Sequence, residues 1–181
     1  TQPLPKAYAI TGGGNYCAGT SGTHVGLGLS DAGVSYQLFV GGTPSGAAVA
    51  GTGSALDFGL LTTTGSYTVV ATNTTSSCTN NMIGSVNVSI LPQPNAYAVT
   101  GGGNFCAGGA GIDVALNGSD MGINYQLYLG LTAMNAVMPG TNSAIDFGIQ
   151  TAPGTYTIIA TDAATGCTKY MTGSASVIVN P

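Results

Sequence analysis

The chain has 181 residues, of which 44% are hydrophobic but only 4% are Asp, Glu, Lys or Arg; Glu and Arg are missing altogether. Ordinary soluble domains carry about 25% charged residues. Two lysines and a net charge of -4 cannot neutralise a phosphate backbone or form a basic patch, which argues against nucleic acid and anionic membranes as partners. Gly, Thr, Ser or Asn breaks every apolar run well short of the roughly 18 residues that a spanning helix needs, so no membrane insertion is expected.

The segment AYAITGGGNYCAG from Ala7 to Gly19 recurs as AYAVTGGGNFCAG from Ala96 to Gly108, 89 residues later. Tyr36, Asp57, Tyr67 and Cys78 recur at the same offset as Tyr125, Asp146, Tyr156 and Cys167, without a gap. Laying residues 4–92 on 93–181 gives 44 identities, the mark of a duplicated unit. We therefore expect two domains, 1–91 and 92–181. Proline-rich stretches at Pro3–Pro5 and Pro92–Pro94 hold the same place in the period and read as short, semi-rigid linkers. The chain ends at Asn180-Pro181, where the next linker would begin, and starts without Met or a signal peptide. Both suggest an excerpt of a longer array.

In chain order, the first unit predicts a strand around Tyr8–Thr11, then VGLGLS from Val25. VSYQLFV comes next, its Val34, Tyr36, Leu38 and Val40 on one face and Ser35, Gln37 and Phe39 on the other. That alternation is the pattern of a half-buried strand. A short strand near Ala47–Ala50 precedes ALDFGLL from Ala55, SYTVVAT from Ser66 and SVNVSI from Ser85. About seven short strands with Gly-rich turns and no amphipathic helix indicate an all-β chain: two tandem immunoglobulin-like antiparallel β-sandwiches. Tyr67 and Tyr156, near the start of the penultimate strand, suit a tyrosine corner, whose hydroxyl bonds to upstream backbone.

Four cysteines allow three pairings. Cys17 to Cys78 and Cys106 to Cys167 have the same spacing of 61, and only pairing within each unit works for an array of any length. Two in-unit disulfides are therefore expected, each stabilising its unit by roughly 4 kcal/mol on the chain-entropy model and implying an oxidising, secreted setting. Cys78 lies eleven residues after Tyr67, Cys17 precedes the second strand, and Trp is absent. The bridge is accordingly expected to tie end loops together and not to cross the core as in antibody domains.

The pattern AYAITGGGNYCAG, SYQLFV, LDFG, GSYTVVATN and CTNNMIGSVNVSI resembles the tandem immunoglobulin-like repeats of very large secreted surface proteins of Bacteroidota-type bacteria. These include repetitive gliding and adhesion proteins of the SprB kind. The resemblance covers both units almost end to end. It implies an extracellular stalk or filament on the bacterial cell surface, whose partners are neighbouring identical repeats, other protomers, and a surface or glycan ligand at a distant tip.

Chemistry-bearing candidates are sparse. TGGGN, with Gly12, Gly13 and Gly14 and their copies Gly101, Gly102 and Gly103, lacks the helix and Lys-Ser/Thr of a phosphate loop. It reads as a tight turn leading into the cysteine. His24 is the one histidine and is replaced by Asp113 in the second unit, so no catalytic or metal constellation repeats around it. Six Asp without Glu offer neither a nucleophile with its base nor the converging oxygen ligands of calcium; no enzyme activity, cofactor or metal is expected. Asp31 and Asp120 read as turn residues bonding their own backbone, and Asp57 and Asp146 as outward-facing. Tyr16, Phe39, Phe105, Tyr128 and Tyr170 are the aromatics that strand period or loop position leaves outside. They suit packing against a neighbour better than sugar binding. Sequons at Asn73, Asn87 and Asn117 carry little weight in a chain this rich in Asn, Ser and Thr. The rival reading is a carbohydrate- or ligand-binding accessory module of a secreted enzyme, which requires an exposed aromatic row.

Overall fold

The computed structural model describes residues 4–181; Pro3, in the first expected linker, lies outside the described residues. Strands and turns make up the whole of what is described, with no helix among the described residues and hence none long and apolar enough to cross a membrane. Two units, Thr1–Leu91 and Pro92–Pro181, each form their own core.

The first unit contains β1 (Ile10–Gly12), β2 (Gly14–Cys17), β3 (Thr23–Leu27), β4 (Val34–Val40), β5 (Thr43–Pro44), β6 (Val49–Ala50), β7 (Leu56–Leu61), β8 (Gly65–Asn73), β9 (Thr79–Asn81) and β10 (Val86–Leu91). One sheet has the order β1-β3-β7; the other has the order β2-β10-β8-β4-β5, with β6 also on β4 and β9 on β8. The second unit repeats this with β11 (Val99–Gly101), β12 (Gly103–Cys106), β13 (Ile112–Leu116), β14 (Ile123–Leu129), β15 (Thr132–Pro139), β16 (Ile145–Gln150), β17 (Gly154–Asp162), β18 (Thr168–Tyr170) and β19 (Ala175–Asn180). Its sheets are β11-β13-β16 and β12-β19-β17-β14-β15, with β18 on β17. In each unit the strands form an immunoglobulin-like sandwich. The strand expected from Ser85 is β10, and a further short strand that was not expected, β9, precedes it; both lie on β8, the chain between them looping at Gly84.

Each core forms where the apolar sets of the two sheets meet. Val25 and Leu27 of β3 and Leu56 of β7 pack with Tyr36 and Leu38 of β4, Tyr67, Val69 and Ala71 of β8, and Val88 of β10. In β4 and β14 alternate residues are buried, as period-two patterning requires. Without Trp, the large fully buried side chains are Tyr36, Tyr67, Tyr125 and Tyr156, and a buried phenol must be hydrogen-bonded to repay its desolvation. Tyr67 Oη donates to the Thr63 carbonyl at 2.7 Å and Tyr156 Oη to the Ala152 carbonyl at 2.8 Å. Tyr36 and Tyr125 accept the backbone N–H of Asp31 and Asp120, each at 2.9 Å.

The glycine triplet has a larger role than a turn. β1 pairs antiparallel with β3 in the small sheet, whereas β2 pairs parallel with β10 in the large one, so Gly12–Gly14 carries the chain from one sheet to the other. Gly12 has φ +83°, and a Cβ built on it would lie 2.2 Å from the His24 carbonyl oxygen; Gly101 has φ +90° and meets Asp113 in the same way at 2.1 Å. Only glycine combines that conformation with that approach. The Gly13 N–H then donates to the His24 carbonyl at 2.8 Å, closing the crossing.

A second irregularity separates the repeats. β5 and β6 are interrupted by Ser45–Ala48 where β15 is one strand with a register shift opposite Tyr125–Leu127. Pro44 and Gly46 in the first unit stand where the second has Ala133 and Asn135, and proline has no N–H for the ladder. In both units a glutamine amide spans the irregularity, Gln37 Nε2 donating to the Gly46 carbonyl at 3.1 Å and Gln126 Nε2 to the Met134 carbonyl at 2.5 Å.

Gly12→Ala is expected to destabilise the first unit by about 3 kcal/mol through strain and overlap. Gly28→Ala, with backbone φ outside the left-handed range and its nearest neighbour 3.7 Å from a new Cβ, should change stability by less than about 0.5 kcal/mol. Urea unfolding checks both: the first substitution should split the transition, leaving the second unit unchanged.

Candidate functional site

In each unit the two chain ends occupy opposite poles of the large sheet. The first unit is entered beside the Asn73 end of β8. There Asn80 Nδ2 donates to the Pro5 carbonyl at 2.8 Å, and the next residues run parallel to the β9–β10 connection, with Ile83 N–H on the Tyr8 carbonyl at 2.8 Å and Ile10 N–H on the Ile83 carbonyl at 3.1 Å. The chain leaves at the far end, where β10 pairs parallel with β2 from Val88↔Gly14 to Leu91↔Cys17 and the Ala18 N–H donates to the Leu91 carbonyl at 2.8 Å. The second unit repeats both arrangements, with an Ala98–Thr172 bridge at the inlet and β12 on β19 at the outlet.

A tyrosine–aspartate clamp pins the inlet. Tyr8 Oη donates to Asp31 Oδ1 at 2.8 Å, while its backbone N–H meets the Met82 sulfur at 3.4 Å. In the second unit Tyr97 Oη donates to Asp120 Oδ1 at 2.6 Å, its N–H meets the Met171 sulfur at 3.4 Å, and Asn95 Nδ2 donates to Asp120 Oδ2 at 3.0 Å. Asp31 and Asp120 thus bind the incoming strand and not, as expected, their own turns. Hydrogen bonding to the aspartate, followed by burial and the negative charge, pushes Tyr8 and Tyr97 up to about 12 from the ordinary 10.0.

The cysteines differ from expectation. Cys17 and Cys167 are disulfide-bonded, whereas Cys78 and Cys106 carry free thiols. Neither in-unit pair, Cys17 with Cys78 or Cys106 with Cys167, is formed, and topology gives the reason. Cys17 is level with Leu91, beyond the Gly65 end of β8, whereas the Cys78 carbonyl accepts the N–H of Asn73 at the other end. At about 3.3 Å per residue the two are about 30 Å apart, far beyond the roughly 7 Å that a disulfide spans. Cys106, level with Asn180, and Cys167, bonded to the Asp162 N–H, are separated in the same way. Each unit therefore carries one cysteine per pole.

The remaining candidates are scattered. His24 Nδ1 and Asp57 Oδ2 lie 2.7 Å apart, both side chains more than half exposed, a contact of little energetic weight. Asp57 is held below the usual carboxylate range first by the Gly59 N–H and then by His24. Its counterpart Asp146 accepts the Gly148 N–H at 2.6 Å, so both aspartates stabilise the bulge where β7 and β16 slip against β3 and β13. Asp113, in the place of His24, is raised by desolvation and by its hydrogen bond to Asp146. Among the described residues no group of three His, Cys, Asp or Glu side chains could hold a metal ion. Of the five aromatics, Tyr16 is buried, Phe105 packs on the core, Phe39 and Tyr128 are half-buried, and Tyr170 is exposed. They form no exposed row. An open cleft lined by Thr64 just before β8, Ser66 of β8, and Asn87, Ser89 and Ile90 of β10 contains no ionisable side chain.

No protein-family model and no curated protein sequence matches the chain. Similar solved structures include the FN1–FN3 domains of chicken CNTN1, with TM-score 0.45 and 11% identity over 99% of this chain and 68% of that one. The fibronectin(III)-like modules of Clostridium thermocellum CbhA align with TM-score 0.42 and 12% identity over 94% of both chains. The human OSCAR ligand-binding domain aligns with TM-score 0.40 and 14% identity over 97% of this chain and all of that one. At such identities the likeness is one of fold alone.

Tyr8 and Tyr97 generate a pH dependence. The folded chain holds these protons more tightly than the unfolded chain, so their contribution to stability is complete below pH 10 and is lost as pH rises towards about 12. Denaturant midpoints measured across that interval should fall in the wild type, and fall less steeply in the Tyr8→Phe/Tyr97→Phe variant.

Proposed function

We propose that the chain is a mechanical segment of a repetitive bacterial cell-surface protein, a stalk or filament that projects an adhesive or motile appendage outside the cell. The observation that carries this reading is the parallel pairing of the two ends of each unit. Tension enters at the inlet on the strand that leads through β1 into β2, and leaves on β10. These strands point the same way, so pulling the ends apart slides one along the other and loads their hydrogen bonds together. An antiparallel hairpin pulled from its open end would lose its bonds one at a time.

Three further features support the reading. The Tyr8–Asp31 clamp holds the strand where load arrives. With so few charges, little of the stability is electrostatic, and salt has little to screen. Disulfide bonding fits an oxidising, extracellular setting. The segment performs no catalysis and needs no cofactor. Its partners are neighbouring repeats, and any surface or glycan ligand is bound at a distant tip.

Electron tomography of the source cells labelled with antibody against this chain tests the proposal. Label distributed along filaments outside the envelope is expected. Label confined to dispersed two-domain particles would overturn it, and glycan binding would then be the next assay.

A further inference from the structure

The pattern of bonded and free cysteines goes further than the rod. The outlet poles carry Cys17 and Cys106, and the inlet poles Cys78 and Cys167. One cysteine of each kind, outlet Cys17 and inlet Cys167, is in a disulfide; their counterparts, outlet Cys106 and inlet Cys78, are free. Both free thiols are accessible, Cys106 being exposed and Cys78 partly so. Each therefore occupies a position that is disulfide-bonded in the other repeat.

We propose that Cys106 of one copy of this chain forms a disulfide with Cys78 of a second copy, outlet to inlet, so that chains join head to tail through a covalent series of poles. This rests on the rod reading and names its partner. The step is balanced: Cys106 Sγ–H and Cys78 Sγ–H lose two protons and two electrons as the S–S bond forms, and glutathione disulfide accepts both pairs to become two molecules of glutathione. The contact is heterologous, one pole meeting a different pole, and a contact of that kind continues into an open filament unless its rotation closes a ring. Six aspartates and two lysines in the whole chain leave little repulsion to oppose it.

The test is incubation of the chain in a glutathione/glutathione-disulfide buffer, alkylation of remaining thiols, and electrophoresis without reductant. The wild type should give a ladder at integer multiples of the chain mass that collapses on reduction. Cys78→Ser alone and Cys106→Ser alone should each remain monomeric, and their mixture should give a dimer and nothing larger. Peptide mapping of the wild-type ladder should recover Cys78 joined to Cys106, a readout independent of how the variants fold. A wild type that stays monomeric, a single variant that dimerises by itself, or a ladder lacking the Cys78–Cys106 peptide would each overturn the proposal. Labelled filaments on cells together with a chain that stays monomeric on oxidation would refute the covalent series and leave the rod reading standing.

Discussion

The passage of the leading strand from one sheet to the other at Gly12–Gly14 governs the pairing of the large sheet, the cover over its β10 edge and the placement of a cysteine. Had the chain continued along β3, its first half would end on the small sheet and β10 would have an open edge. By crossing, it places β2 in parallel register with β10, covers that edge, and delivers Cys17 to the outlet pole. The crossing is possible because Gly12 and Gly101 bring backbone against the carbonyls of His24 and Asp113 at a distance that leaves no room for a Cβ. One steric condition, met once in each repeat, thus underlies all three features.

Beyond the His24–Asp57 contact, hydrogen bonds to backbone groups and to lone aspartates take the place that ion pairs hold on most surfaces. The core is built on tyrosines whose hydroxyls each find a backbone partner or an aspartate. Buried serines take the same part at the turns, Ser30 Oγ donating to the Ser54 carbonyl and Ser119 Oγ to the Ser143 carbonyl, each at 2.6 Å. Hairpin ends are closed by Asn73 in one unit and Asp162 in the other, each accepting two backbone N–H groups. Asp162 is held below the usual carboxylate range by those N–H donors. Asparagine and aspartate are interchangeable here because the turn needs an acceptor and not a charge.

The fold class is legible in the sequence because its signals are local: alternation in VSYQLFV, turn residues between short strands, and an uninterrupted repeat. The features that escape a reading of the sequence depend on which strands become neighbours. Equal cysteine spacing suggests in-unit disulfides, but spacing carries no information about poles, and antiparallel β8 and β10 put the two cysteines at opposite ends. Asp31 looks like a turn residue because its true partner, Tyr8, is distant in sequence. β9 goes unmarked in the sequence pattern because two of its three residues are Asn, which is depleted in strands. The glycine triplet announces a special backbone conformation without saying that the chain changes sheets there.

Resistance to tension through strands loaded in shear is open to single-molecule force spectroscopy, with the chain held by its two ends and its disulfide reduced. Two separate unfolding peaks are expected, each releasing roughly 270 Å of chain as a unit of this size extends at about 3.5 Å per residue. Smooth lengthening at low force, with strands peeling away and no peaks, would contradict shear loading and with it the mechanical role.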